Sequence, residues 1–148
     1  MQFVTSILEA GYRGTLMRQA SIFVVEDETL IRMMLVQMVE ELGHRVVAEA
    51  ASVHDGRSRA EIENYDLAIL DINLQGFNVQ PVAQAISRRG RPFFFLTGYG
   101  ERGVPDGFRG WPVLDKPCTS EVLKTAIDAV LSISGPGAQD ESGQASQT

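Results

Sequence analysis

Only one cysteine, Cys118, occurs in the 148 residues, which excludes an internal disulfide framework and suits a reducing compartment. Long apolar runs are also missing. The longest are five or six residues, against the roughly 20 needed to cross a bilayer, so no membrane partner is expected. The start, "MQFVTSILEA", lacks the basic residues and extended apolar stretch of a secretory signal, and the expected location is cytoplasmic. Basic charge is in short supply: thirteen Lys and Arg are scattered among nineteen acids, for a net charge of -6. A phosphate-binding surface needs a basic stripe, so direct nucleic-acid binding is not expected. No glycine loop followed by Lys and Ser or Thr is present, which disfavours a nucleotide switch. The two histidines, His44 and His54, stand alone, on a loop and on a helix face, and are expected to be surface or capping residues.

What is present is one domain with two dissimilar ends. Residues 134–148, "SGPGAQDESGQASQT", hold almost nothing apolar and read as a disordered tail. Residues 1–18 read as a poorly ordered extension, with a short helix carrying Phe3, Ile7 and Leu8 as the alternative. Between them, residues 19–133 alternate short apolar runs with helical periodicity. The runs are Ser21 to Val25, Arg45 to Ala51, Asp66 to Ile72, Arg91 to Leu96 and Trp111 to Leu114. "AILDI" and "PFFFL" are nearly continuous in apolar residues, as in strands of a parallel sheet covered on both faces. Leu30, Met34, Leu35, Met38 and Leu42 predict a first helix stopped at Gly43. Ser52 and Asp55 resemble a capping box opening a second helix toward Tyr65. Pro81, Val82, Ala85 and Ile86 predict a third, and Val122, Leu123, Ala126, Ile127 and Val130 predict the last. The implied fold is α/β, a doubly wound five-stranded parallel sheet. One helix is weak: "GYGERGVPDGFRGWPVLD" is so rich in glycine and proline that the stretch should form a short or irregular fourth helix, or mostly loop.

The chemistry is expected at the carboxyl ends of the strands, where the crevice of an open parallel sheet lies. Glu26 and Asp27 follow "FVV", Asp71 closes "DLAILD", Thr97 closes "FFFLT" and Lys116 follows "PVLD". Adjacent acids resist joint ionisation unless a cation compensates them. All the ligands on offer are oxygens, which favours Mg2+ over a transition metal, and Mg2+ leaves coordination positions open for a phosphoryl group.

"VVEDE", "LDIN", "LTGYG" and "DKP", in this order and each at a strand end, resemble the response-regulator receiver domain of two-component signalling. "PFFFLTGYG" further resembles the receiver subfamily named for a Phe-Ala-Thr-Gly-x-Tyr signature, with Leu96 where alanine is usual. The resemblance implies the flavodoxin-like strand order 2-1-3-4-5. It also implies that Asp71 accepts a phosphoryl group from a histidine kinase or phosphotransfer protein. Asp27 and Asp71 would bind Mg2+ directly, Glu26 through water, and Asn73 through its main-chain carbonyl. Lys116 would pair with Asp71, and Thr97 would hydrogen-bond a phosphoryl oxygen. Asn73 and Tyr99 would tune the lifetime of the acyl phosphate.

Two positions depart from the pattern. Val113 stands where many receivers carry an aromatic residue that reports the switch, which points instead to ordering of the segment Gly98 to Gly110. Gln75 stands where proline is common, and a looser "NLQG" is expected. The function implied is that of a stand-alone regulator acting on a downstream protein still to be found, rather than a conventional enzyme. A phosphate sink and a phosphorylation-independent binding module are the alternatives. A haloacid-dehalogenase type of phosphatase, which also uses a strand-end Asp and Mg2+, is disfavoured because Asn73 stands where that class has a second acid.

Overall fold

Five segments with apolar side chains on both faces pair into one parallel sheet: β1 (Ser21–Val25), β2 (Arg45–Ala50), β3 (Leu67–Asp71), β6 (Phe93–Thr97) and β7 (Val113–Asp115). The structure, a computed structural model, describes residues 18–98, 100 and 102–133. Expectations for residues 1–17, for Tyr99 and for residues 134–148 lie outside the described residues. The strand order is β2-β1-β3-β6-β7, the order expected from the resemblance. Helices α1 (Thr29–Glu41), α2 (Val53–Ile62), α3 (Gln80–Arg88) and α4 (Ser120–Ile133) connect or follow the strands.

Side chains of a strand alternate between its faces, and the three inner strands bury both. Phe23, Val25, Ala68, Leu70, Phe93 and Phe95 pack toward α2 and α3, with Ala60, Val82 and Ile86. Ile22, Val24, Leu67, Ile69, Phe94 and Leu96 pack toward α1 and α4, with Leu35, Val39, Leu123 and Ile127. A Cβ on Gly56 would lie 3.0 Å from Val82 Cγ2, so the approach of α2 to α3 depends on the missing side chain. The N-terminus of α2 is capped as expected, Ser52 Oγ accepting from the Asp55 N–H at 3.1 Å.

Four expectations need correction. First, the apolar face of α1 is Leu35 and Val39 with Met38 and Leu42, whereas Leu30 and Met34 are exposed. Second, the last strand begins at Val113 and not at Trp111, while the described part of residues 98–112 forms no helix, the mostly-loop outcome that its glycines and prolines allow. That segment is held by Phe108, which is buried against Phe93 and Phe95, and Trp111 stacks on Phe93 instead of opening a strand. Third, residues after Asp71 form a hairpin that the sequence pattern did not reveal, β4 (Asn73–Leu74) paired antiparallel with β5 (Phe77–Asn78). Its two-residue turn, Gln75 and Gly76, has φ of 55° and 88°. Positive φ at both positions is the turn whose twist suits a hairpin. Far from loosening the segment, Gln75 lies in a tight, tied turn.

The fourth correction concerns His44, which is buried, its Nδ1 accepting a hydrogen bond from the Ala20 N–H at 3.1 Å. Burial holds its pKa below the usual 6.5, with Asp128 pulling it up and Lys124 pushing it down. A neutral Nδ1 acceptor is therefore part of the fold. Below the ordinary histidine value the unfolded chain takes up a proton that folded His44 refuses, so stability present above pH 6.5 is expected to fall as pH drops toward the folded value. Urea midpoints at pH 7.5 and 5.5 check this: the native chain should lose more than His44→Asn, which has no proton to take up. Equal losses would refute the assignment.

Candidate functional site

Strand register brings the candidate residues together. Val25 is paired with Leu70, Asp71 with Leu96, and Thr97 with Asp115, so residues 26, 71, 97 and 116 leave neighbouring strand ends at the same level. Glu26, Asp27 and Asp71 present carboxylate oxygens within 4.8 Å of one another. Lys116 Nζ bridges two of them, at 2.5 Å from Glu26 Oε1 and 3.0 Å from Asp71 Oδ2. Sequence reasoning paired Lys116 with Asp71 but did not anticipate the contact with Glu26.

The electrostatics follow from burial. Glu26 has 0% exposure, and burial pushes its pKa up to about 7 even though Lys116 and the Glu28 N–H donate to it; the charge of Asp71 pushes the same way. Burial also raises the pKa of Asp71, against the pull of Lys116 and of the Asn73 N–H, which donates to Oδ1 at 3.3 Å. Asp27 is more open. Partial burial pushes its pKa up, but the Gln75 N–H, which donates to Oδ2 at 3.0 Å, acts together with hydrogen bonding to Glu26, Asp71 and its own main chain, and the net effect is a lowered pKa. Lys116 is pushed down by burial, but its two carboxylate partners more than offset this and keep it charged.

Three carboxylates thus face one ammonium, and the donor set is all oxygen with no nitrogen or sulfur ligand. That composition fits a hard divalent cation such as Mg2+, which would relieve the excess negative charge.

The remaining candidates complete the rim. Thr97 is buried at the end of β6, and its carbonyl accepts from the Lys116 N–H at 2.8 Å. Asn73 lines the same cleft of about 330 Å3 as Asp27, Glu28, Asp71, Gly98 and Lys116. A neighbouring cavity of about 400 Å3 joins Asp71 and Thr97 to Phe77, Asn78 and Arg102. Two contributors were not anticipated. Arg32 Nη1 donates to the Glu26 carbonyl at 2.8 Å while its Nε bonds Glu49 at 3.2 Å, which braces the acidic loop against β2. The Gln75 main-chain N–H is the other. Arg32 lies six residues after Glu26, a spacing with no signature of its own.

Residues 22–128 match the response regulator receiver domain. Over 115 residues the chain is 30% identical to the transcriptional regulatory protein PdtaR of Mycobacterium tuberculosis, a match covering 75% of this chain and 56% of PdtaR. The chain therefore spans only about half the length of that relative. Among solved structures it is similar to SdrG from Sphingomonas melonis Fr1, with 40% identity and a TM-score of 0.68 over 76% of this chain and 96% of SdrG. It is also similar to the PhyR response regulator REC domain of Erythrobacter litoralis, with 29% identity and a TM-score of 0.67 over 78% and 92% of the two chains.

Proposed function

Because this chain belongs to the response regulator receiver domain family and is a two-component signalling domain, we propose that it accepts a phosphoryl group on Asp71 from the phosphohistidine of a kinase or phosphotransfer protein. The observation that carries the reading is the bridging of Glu26 and Asp71 by Lys116 within a three-carboxylate cluster. An Asp71 carboxylate oxygen attacks phosphorus, a P–O bond forms, and the P–N bond to the donor imidazole breaks with its electron pair leaving on nitrogen. The imidazole then takes up a proton. Lys116 would follow the charge as it moves from the carboxylate to a phosphoryl oxygen, and the Thr97 hydroxyl would donate to another. Mg2+ held by Glu26, Asp27, Asp71 and the Asn73 carbonyl would supply further neutralisation of phosphoryl oxygens.

The signal is then an altered protein-binding surface. Residues 98–112 connect Thr97 to the strand before Lys116, so a shift of Thr97 toward new oxygens would act on that segment first. The reading implies a cytoplasmic location. Among the described residues, no helix is long and apolar enough to cross a membrane.

Intact-mass spectrometry after incubation with acetyl phosphate, with and without Mg2+, tests the proposal. One Mg2+-dependent phosphoryl adduct is expected on the native chain and none on Asp71→Asn. If neither acetyl phosphate nor a panel of phosphorylated histidine kinases leaves an adduct, the chain is a binding module that keeps the acids without the chemistry.

A further inference from the structure

The hairpin that follows Asp71 makes a contact that a proline at position 75 would forbid. The Gln75 N–H donates to Asp27 Oδ2, and proline has no N–H to give. Nor could proline adopt the φ of 55° found there. From this turn the hairpin runs back through the pairs Leu74–Phe77 and Asn73–Asn78. At its far end the Asn78 side chain divides its two functions. Oδ1 accepts from the Gln80 N–H at 2.9 Å at the start of α3, while Nδ2 donates to the Gly103 carbonyl at 2.7 Å. A Cβ on Gly103 would lie 3.3 Å from Cγ2 of Ile72, one residue from Asp71, so the two stretches approach closely there. A short, doubly tied element therefore connects a carboxylate of the acid cluster to the middle of the 98–112 segment. It does so in a chain where Val113 occupies the position of the usual aromatic reporter.

We propose that the Asn73–Asn78 hairpin is a positioning element: the Gln75 main-chain N–H orients Asp27 for the cation, and Asn78 transmits that orientation to the segment around Gly103. The inference rests on the reading of Glu26, Asp27 and Asp71 as a cation site. Gln75 acts through Asp27 and is a positioning residue. Because an oriented outer-shell donor fixes its ligand, losing the Gln75 N–H is expected to weaken Mg2+ binding by about tenfold or more. Deleting the Asn78 tie should leave Mg2+ affinity within about twofold, since the change is at an exposed site, and should silence the distant response.

The test is a Mg2+ titration of the full 148-residue chain followed by amide NMR shifts, with no phosphoryl donor. In the native chain the Gly103 amide is expected to move with the same midpoint as the amides of Asp27 and Asn73. Gln75→Pro should raise that midpoint about tenfold. Gln75→Gly, which keeps the N–H and accommodates positive φ, should restore it. Asn78→Asp keeps the acceptor for Gln80 and lacks the donor for Gly103, so the midpoint stays while the Gly103 shift disappears. Sheet amides unchanged in each variant confirm folding. An unchanged midpoint in Gln75→Pro, or a Gly103 amide that still responds in Asn78→Asp, overturns the inference while leaving the cation site standing. If Mg2+ moves no amide near Asp27 or Asp71 in the native chain, the cation site falls and the coupling falls with it.

Discussion

Lys116→Met is expected to lower stability in metal-free buffer by about 3–5 kcal/mol, the usual cost of removing one partner from a buried ion pair. For a domain of this size that corresponds to a fall in Tm of about 10 °C or more. The reason lies in what remains. Glu26 is fully buried, and Lys116 is its charged partner at 2.5 Å; the same ammonium reaches Asp71 at 3.0 Å. Methionine fills much of the lysine volume, so the loss measures charge and hydrogen bonding more than a cavity. The double variant Lys116→Met/Glu26→Gln should recover a substantial part, since an amide costs less to bury than an unpaired carboxylate. Thermal melts of the native chain, both single variants and the double variant form the cycle. If Lys116→Met melts with the native chain, the bridge contributes nothing to the fold. The same substitution should also abolish the phosphoryl adduct, because the ammonium that would meet the transferred oxygens is gone.

The strand ends that build this site were readable in the sequence because both faces of the central sheet are buried. Continuous runs such as "AILD" and "FFFLT" have no polar interruption until the chain leaves the sheet, so the first polar residue marks the crevice. The residues at or just after those ends, Glu26, Asp27, Asp71, Thr97 and Lys116, do converge. What stayed hidden depends on contacts between distant segments or on elements too short for periodicity. A hairpin of two-residue strands shows no alternation, and glutamine at φ of 55° is not a residue that announces a turn. The lone His44 gave no sign that its ring would meet Ala20, twenty-four residues away. In α1, Leu30 and Met34 share helical spacing with Leu35 and Met38, and spacing does not say which of two overlapping stripes meets the sheet. Glycine and proline did correctly mark residues 98–112 as poor helix material, but the anchor that holds them is a ring packed across the fold.

That anchor carries the second large effect: Phe108→Ala is expected to lower stability by about 3 kcal/mol, toward the low end for a buried phenylalanine because a loop can partly collapse into the space. Phe108 meets Phe93 at 5.4 Å, Phe95 at 6.4 Å and Trp111 at 5.2 Å between ring centroids, nearly edge to face in each case. Local main-chain order around it is thin: the Phe108 N–H bonds the Pro105 carbonyl and the Trp111 N–H bonds the Phe108 carbonyl, with no helical ladder between. Around Phe108, apolar burial more than main-chain hydrogen bonding must therefore hold the segment against its conformational entropy, with the Asn78–Gly103 hydrogen bond as a tie farther along. Trp111, the single tryptophan and 39% exposed, reports the outcome directly. Its emission should shift to the red in Phe108→Ala, and amides of the 98–112 segment should exchange faster, while β1 and β3 amides stay protected. Phe108→Leu, which keeps most of the volume, should cost less than about 1.5 kcal/mol. Native-like emission and exchange in Phe108→Ala would mean that the segment is held by something other than its aromatic anchor. Because Asp71 and Lys116 sit on strand ends and not on the segment, the Mg2+-dependent adduct should still form in the variant. Signalling and phosphoryl acceptance would then separate, as expected if acceptance is set by the sheet and output by an order-sensitive loop.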